Sequence, residues 1–296
     1  MYDEERPYKR IEQSEDSQAY RQGNWDMAEG LQAVDGVRVS AYAREEAARY
    51  IRGEISAREL RDEVERYYEA GEPVASSAAS GRADAQREAD TVAVRINELL
   101  ADSNKTSFKL FPGVLKAIHG VLFAGILGDR RYEGEYRDFN LEKDEPVLGG
   151  RSVEYAPAHL IGATLDYDFA QEKEYSYSRP LSQVDLTHFV SFIADVWQCH
   201  PFAEGNTRTC AVFSQLYLRS LGVDVDNGYF KEWSAWYRDA LVRANYASIE
   251  LGIEPDSSFL MAFYDNVVFG KKNDLGAADL NIHGIRDGSD LPYRES

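Results

Sequence analysis

The sequence predicts an all-α protein with one small β-hairpin, and three observations support this fold class. Apolar residues recur at helical spacing along most of the chain, for example over residues 115–122. Capping patterns open some of these runs, such as Ser56 followed three residues later by Glu59. Only residues 132–156 favour β structure, because Gly149-Gly150 is typical of a hairpin turn. We find no internal repeat, which excludes a solenoid.

The predicted elements divide the chain into four parts. The first is polar and charged without an apolar helical stripe, which predicts a mobile arm. The second combines two short helices, separated at Gly53, with a Gly/Ala/Ser-rich connection, and predicts a small helical module and linker. The third holds the remaining amphipathic helices, and the fourth is a polar tail that we expect to dock through Leu280 and Ile282. These parts are residues 1–29, 30–84, 85–270 and 271–296.

Composition argues against several classes of partner. The formal net charge of −18 disfavours nucleic acid, which needs clustered Lys and Arg, and anionic membrane surfaces. No run approaches the roughly 18 apolar residues of a membrane span, and the N-terminus carries no apolar signal segment. We therefore expect a cytoplasmic protein in which Cys199 and Cys210 are reduced thiols. The oligomeric state is left open.

The chain is organised around residues 200–209, HPFAEGNTRT. Pro201 disfavours helix at His200, so a first helix should end there. Gly205 and Asn206 suit a tight loop, and a second helix should start near Asn206 or Thr207. A loop that ends on a helix N-terminus presents free N–H groups and the positive end of the helix dipole. The stretch therefore predicts an anion site.

Three side chains add chemistry to that anion site. Arg208 has a forked guanidinium that suits phosphate oxygens. Glu204 is a hard oxygen ligand of the kind that Mg²⁺ accepts when it also bridges phosphates. His200 is a base with a pKa near neutrality. Together they predict phosphoryl or nucleotidyl transfer from a nucleoside triphosphate.

At these residues the sequence resembles the Fic family, whose signature is H-x-F-x-[DE]-G-N-x-R. A looser resemblance extends over residues 108–270. The resemblance implies a helical bundle with a β-hairpin flap over the active site, and transfer of AMP from ATP onto a Tyr, Ser or Thr hydroxyl of a target protein. The matching positions are His200, Phe202, Glu204, Gly205, Asn206 and Arg208.

The resemblance also implies a role for each site residue. His200 would be the base, and Glu204 would hold Mg²⁺. Residues 205–208, which are Gly205, Asn206, Thr207 and Arg208, would bind the phosphates of ATP. The flap would dock the target by main-chain hydrogen bonds, which assigns that role to Ser152, Val153 and Glu154.

Two departures and one further resemblance concern regulation. Ala211 stands where many members carry a second arginine for the γ-phosphate. Residues 76–81 resemble the inhibitory motif [ST]-x-x-x-E-[GN], but Ser80 replaces the glutamate, and a flexible linker is the alternative. Residues 35–56 resemble the antitoxin-type modules that accompany some Fic domains, and a plain helical hairpin is the alternative. An antitoxin or self-inhibitory segment is therefore an expected partner, as in a toxin–antitoxin system.

Two other functions remain open. A Fic-type site could transfer UMP, or phosphate, although relatives that transfer phosphate usually alter the Gly-Asn core that is intact here. The chain could also be a catalytically degenerate Fic fold kept as a binding or regulatory module, which the replacement at Ala211 favours and the intact His200 and Glu204 disfavour.

Overall fold

The computed structural model describes residues 17–70, 77–102, 108–277 and 279–282, and only the backbone of residues 35, 77–82 and 277. Within these ranges the prediction of an all-α protein is confirmed, since the only β pairing consists of two isolated antiparallel bridges. The helices are α1 Gln18–Gly30, α2 Ala41–Arg52, α3 Ala57–Ala70, α4 Ser77–Asp102, α5 Gly113–Phe123, α6 Ile161–Glu174, α7 Gln183–Cys199, α8 Asn206–Ser220, α9 Gly228–Asn245 and α10 Ser258–Phe269.

The core surrounds α7 and α8, which lead into and out of residues 200–205. Helix α7 begins at a capping box in which the side chains of Ser182 and Asp185 each accept the other's backbone N–H. Trp197 of α7 and Phe213 of α8 are among the largest fully buried side chains. Helices α6, α9 and α10 pack on α7, and α5 packs on α8. The loop between α7 and α8 therefore rests on the apolar core.

Helix α1 corrects the prediction of a mobile arm over residues 1–29. Residues 18–29 are helical, with Trp25 and Met27 buried against neighbouring helices, while residues 1–16 lie outside the described part of the chain. The helix packs on α4 and α9, and a Cβ built on Gly30 would lie 2.3 Å from the carbonyl oxygen of Phe230. This contact between α1 and α9 joins residues far apart in sequence. The local pattern of apolar residues in α1 therefore does not predict it.

The two helices predicted around Gly53 are present. The Ser40 side chain accepts the Ala43 N–H at 3.1 Å and caps α2, and Gly53 ends this helix with φ 79°. Ser56 opens α3 as the predicted capping box. The connection that follows is shorter than predicted, because α4 already begins at Ser77. The side chains of the candidate inhibitory segment, residues 76–81, lie outside the described part of the chain.

The predicted β-hairpin does not form. Glu145 and Arg151 make one isolated bridge, and Pro146–Leu148 is a 3₁₀ turn. Pro146 has no N–H to continue a ladder, and the Glu145 side chain is buried against Tyr155 and Arg238 instead of lying along a strand. We call residues 140–155 the docking segment, after the docking role that the resemblance implies for Ser152, Val153 and Glu154.

The described part of the tail, residues 271–277 and 279–282, docks as predicted through Leu280 and Ile282. Leu280 is buried and its carbonyl oxygen accepts from Arg243 at 2.7 Å, while the Ile282 N–H donates to Val147 at 3.0 Å. Cys199 and Cys210 are buried free thiols, and burial raises the pKa of each to about 12. None of the helices in the described ranges has the length and apolarity needed to cross a bilayer.

Candidate active site

Residues 200–205 connect α7 and α8 at the predicted boundaries. Helix α7 ends at Cys199, and His200 caps it in the left-handed conformation, with φ 47° and ψ 58°. Gly205, with φ 71°, is the N-cap of α8, whereas the sequence favoured Asn206 or Thr207 for that position. A left-handed conformation costs a residue other than glycine roughly 1–2 kcal/mol. The surroundings of His200 must therefore hold its main chain.

The imidazole of His200 is buried between two aromatic rings. Its centroid lies 4.1 Å from the ring of Tyr155 and 5.2 Å from that of Trp197. Nδ1 lies 3.3 Å from the carbonyl oxygen of Trp197, which can only accept, so Nδ1 is the donor and Nε2 carries the lone pair. Burial, and then the charge of Lys143, hold the pKa of His200 well below 6.5. The ring is neutral at pH 7, as a general base must be.

The main chain at His200 is held by Arg137, which the sequence analysis did not select. Arg137 Nε donates to the His200 carbonyl oxygen at 2.8 Å, and Nη2 lies 3.4 Å from that of Cys199. Nη1 donates to the Phe139 carbonyl at 2.7 Å, and Nη2 donates to that of Ala156 at 2.6 Å. Since all these acceptors belong to the backbone, no residue pattern in the sequence marks the interaction.

Two motif residues use their side chains inside the loop. Asn206 Oδ1 accepts the Phe202 N–H at 2.9 Å, and its Nδ2 donates to the Phe202 carbonyl at 2.8 Å. Thr207 Oγ1 accepts the indole N–H of Trp197 at 2.9 Å. Phosphate contacts from Asn206 and Thr207 would therefore come from their backbone N–H groups at the start of α8.

His119 packs against residues 200–205 on the side of the core. Its ring stacks on Phe202 with centroids 4.0 Å apart. Nδ1 accepts the Gly134 N–H at 2.9 Å, so Nε2 is the donor to the Glu204 carbonyl oxygen 3.2 Å away. Burial lowers the pKa of His119 to about 4, which keeps this ring neutral. The backbone at Glu204 is thus fixed by a satisfied core histidine.

The N-terminus of α8 is covered by Phe123, the last residue of α5. A Cβ built on Gly205 would lie 2.3 Å from Cζ of Phe123, so only glycine fits beneath the ring. The guanidinium of Arg208 lies 4.7 Å from the centroid of the same ring, a favourable cation–π arrangement. An aromatic side chain therefore lies beside the backbone groups expected to bind phosphate.

Arg208 is engaged by the N-terminal part of the chain. Its Nη2 donates to Glu88 Oε1 at 2.7 Å, and its Nη1 donates to Gln32 Oε1 at 3.3 Å. The side chain of Arg208 is 5% exposed and that of Glu88 is 31% exposed. A carboxylate thus binds the cation that the sequence assigns to phosphate. The sequence analysis missed Glu88, because it lies on the polar side of α4 without a motif.

Glu204 is exposed in the middle of the loop. The described ranges contain no group of three or more His, Cys, Asp and Glu side chains that could hold a metal ion. Mg²⁺, however, commonly takes only one or two protein carboxylates and completes its shell with phosphate oxygens and water. A single exposed carboxylate beside a phosphate site fits that chemistry.

The docking segment presents backbone donors beside the site. Ser152 Oγ donates to the Val153 carbonyl at 2.8 Å, and Gln198 donates to the Glu154 carbonyl at 3.3 Å. In the described part of the chain, no acceptor is found for the N–H groups of residues 152–154. Val153 is buried and Glu154 is exposed, next to an open cavity of about 320 Å³. Carbonyl oxygens of an incoming chain could accept from these N–H groups.

The comparisons with known proteins match two parts of the chain. Residues 110–218 match the model described as the Fic/DOC family. Residues 21–66 match the model described as antitoxin VbhA. The first match includes residues 200–208 and the docking segment, and the second runs from α1 into α3. Neither the search of curated proteins nor the search of solved structures gave a match.

Proposed function

This chain is a Fic/DOC-family protein with a VbhA-type antitoxin domain ahead of its Fic domain, and on that premise we propose that it transfers AMP from ATP to a Tyr, Ser or Thr hydroxyl of a target protein. The Fic domain itself indicates a nucleotidyl or phosphoryl transferase. The observation that most supports AMP transfer is the neutral imidazole of His200, anchored through Nδ1 within an intact motif.

The arrangement supports a direct displacement. Nε2 of His200 takes the proton of the target hydroxyl, and the hydroxyl oxygen attacks the α-phosphorus of ATP. The bond from that phosphorus to the oxygen bridging toward the β-phosphate breaks, and pyrophosphate leaves with its electron pair. Arg208 and the N-terminus of α8 would stabilise the phosphate charge.

Mg²⁺ would be held by Glu204, whose exposure and position fit it. When bound, the ion neutralises part of the triphosphate charge. The flanking backbone of Glu204 is fixed by His119, so the carboxylate starts from a defined main-chain position.

We further infer that the N-terminal part of the chain restrains the enzyme. Phosphate oxygens must compete with the Glu88 carboxylate for Arg208, because the carboxylate is bound to it at 2.7 Å and both groups are anions. Phe123 must also turn away from Gly205 to uncover the start of α8. The VbhA-type domain supplies Gln32, the second partner of Arg208. The antitoxin role of this domain would thus include closing the phosphate site.

The proposed function is tested by labelling. The full chain is incubated with Mg²⁺ and a host-cell lysate, once with ATP tagged at the α-phosphate and once with ATP tagged at the γ-phosphate. Label transferred to protein only from the α-phosphate is expected, and its loss in His200→Ala is expected with the fold intact by circular dichroism. Label from the γ-phosphate would indicate phosphate transfer instead, and full labelling by His200→Ala would contradict the role of the base.

A binding or regulatory module is the second candidate, and the closed phosphate site favours it. Ala211 is fully buried and offers no second cation, and Arg208 is already bound to Glu88. Measuring Mg·ATP affinity together with turnover separates the two functions. Tight binding without any transfer, in the wild type and in Glu88→Gln, would support the module.

A further inference from the structure

Arg137 places a positive charge inside the Fic domain without contact to a carboxylate in its described bonds. The residue is 2% exposed, and the acceptors of its side chain are backbone carbonyl oxygens. Burial lowers the pKa of Arg137, which reflects the cost of keeping a cation away from water. The role of Arg137 must therefore be inferred from the backbone carbonyls that accept its hydrogen bonds.

One set of partners lies at the end of α7. The last carbonyls of a helix have no intrahelical donor, and a cation there is favourable. Arg137 contacts the carbonyls of Cys199 and His200 through its side chain, and its N–H donates to that of Pro201 at 2.8 Å. His200 is the only residue other than glycine with positive φ among those described. Arg137 thus stabilises the turn that orients the imidazole.

The other set of partners flanks the docking segment. Phe139 precedes the segment and Ala156 follows it, and both carbonyls accept from Arg137, at 2.7 and 2.6 Å. Tyr155, the last residue of the segment, also packs its ring on His200 with centroids 4.1 Å apart. Both ends of the segment and the main chain of His200 are therefore bonded to one rigid planar group.

We propose that Arg137 is a positioning residue, whose guanidinium fixes the placement of the docking segment relative to the imidazole of His200. The inference rests on the proposed function, in which that segment holds the target and the imidazole accepts its proton. Lysine cannot substitute, because a single ammonium cannot reach carbonyls on both sides. A misplacement of about 1 Å can cost on the order of a hundredfold in rate.

The test compares two acceptors in the full chain carrying Arg137→Lys. One rate is transfer from α-tagged ATP to lysate protein, and the other is release of AMP to water without lysate. We expect the first to fall about tenfold or more and the second to fall clearly less, because transfer to protein loses both the docking segment and the orientation of the imidazole, whereas transfer to water loses only the orientation. Loss of both rates to the same extent, or of neither, would overturn the proposal.

The matched control is Arg21→Lys, which alters another arginine whose guanidinium donates to a backbone carbonyl, that of Ile51 at the end of α2. It should leave both rates unchanged. A control variant that reproduced the selective loss would also count against a specific role of Arg137.

Hydrogen exchange in the wild-type protein tests the inference without an activity measurement and without a variant that must fold. In wild-type protein at low urea, peptides covering residues 139–156 and 198–206 should become exchangeable in one common opening step, because one guanidinium joins them. Separate openings would overturn the proposal. A wild type that transfers no label, but shows the common opening, would count against the proposed function alone.

Discussion

The two halves of the site are held in different ways. The His200 half is held by Arg137, through main-chain carbonyls, and by the rings of Tyr155 and Trp197, all within the Fic domain. The Arg208 half is held by side chains from the N-terminal part of the chain, the carboxylate of Glu88 and the amide of Gln32.

The difference indicates which half is permanent. Phosphate oxygens cannot replace a guanidinium bound to backbone carbonyls, because both kinds of oxygen only accept, so His200 should keep its position when a triphosphate binds. At Arg208, by contrast, phosphate oxygens can replace a carboxylate directly. Under the proposed function, the half with the base is therefore preformed, whereas the half that binds phosphate is closed by groups that can be exchanged. Four predictions test this comparison.

The largest effect is expected at the permanent half. His200→Ala should lower the transfer rate by roughly a hundred- to ten-thousandfold, because it removes the proposed general base. Adding Glu88→Gln to this variant should not restore the transfer rate, because removing the carboxylate from Arg208 does not supply a base. Rates of α-label transfer for the two single variants and the double variant check this. A double variant substantially faster than His200→Ala would show that the two halves are not separate.

The second prediction concerns the contact that closes the start of α8. Gly205→Ala and Gly36→Ala both place alanine at φ 71°, but only the first meets the Phe123 ring, at 2.3 Å, while nothing lies within 4 Å of the second. Gly205→Ala should therefore lower the free energy of unfolding by about 1–3 kcal/mol more than Gly36→Ala does. Urea unfolding of both variants measures the difference. If both variants lost the same free energy of unfolding, the Phe123 ring would be able to move aside at no cost, and the prediction would be wrong.

The sequence was sufficient where local chemistry decides the structure. Pro201 and Gly205 set the end of α7 and the start of α8, and Ser56 caps α3 as predicted. The motif residues therefore lie on the predicted loop. Glu154 is exposed and Ser152 half-buried, whereas Val153 is buried and the turn there is not a hairpin.

The sequence was insufficient where partners are far apart along the chain. Arg137 binds the His200 carbonyl 63 residues away, and Glu88 binds Arg208 across 120 residues. Backbone carbonyls carry no residue identity, and one glutamate on a polar helix face resembles any other. The closure of the phosphate site depends on such contacts, so only the folded structure reveals it.

The third prediction concerns the ion pair between Glu88 and Arg208 in the exchangeable half. Glu88→Gln removes the carboxylate from Arg208, and Mg·ATP should then bind about two- to fivefold more tightly, the range expected for a partly exposed ion pair. Glu98→Gln is the matched control, because Glu98 lies on the same helix and pairs with Arg61 instead. Titration calorimetry with Mg·ATP compares the variants. Unchanged affinity in Glu88→Gln, or an equal gain in Glu98→Gln, would contradict competition at Arg208.

The smallest expected effect is the pH dependence of the permanent half. Protonation of Nε2 removes the base, so the rate falls as pH drops through the pKa of His200. An ordinary histidine with a pKa of 6.5 would lose about fourfold in rate between pH 7.5 and pH 6.0. Burial holds the pKa of His200 well below that value, so the loss over this interval should be smaller and the acid limb should lie at lower pH. The rate of α-label transfer at saturating Mg·ATP measures it, with circular dichroism at pH 6.0 as the control for folding. A fourfold loss of rate in folded protein would mean that solvent reaches the imidazole. The surroundings of His200 would then be as changeable as those of Arg208.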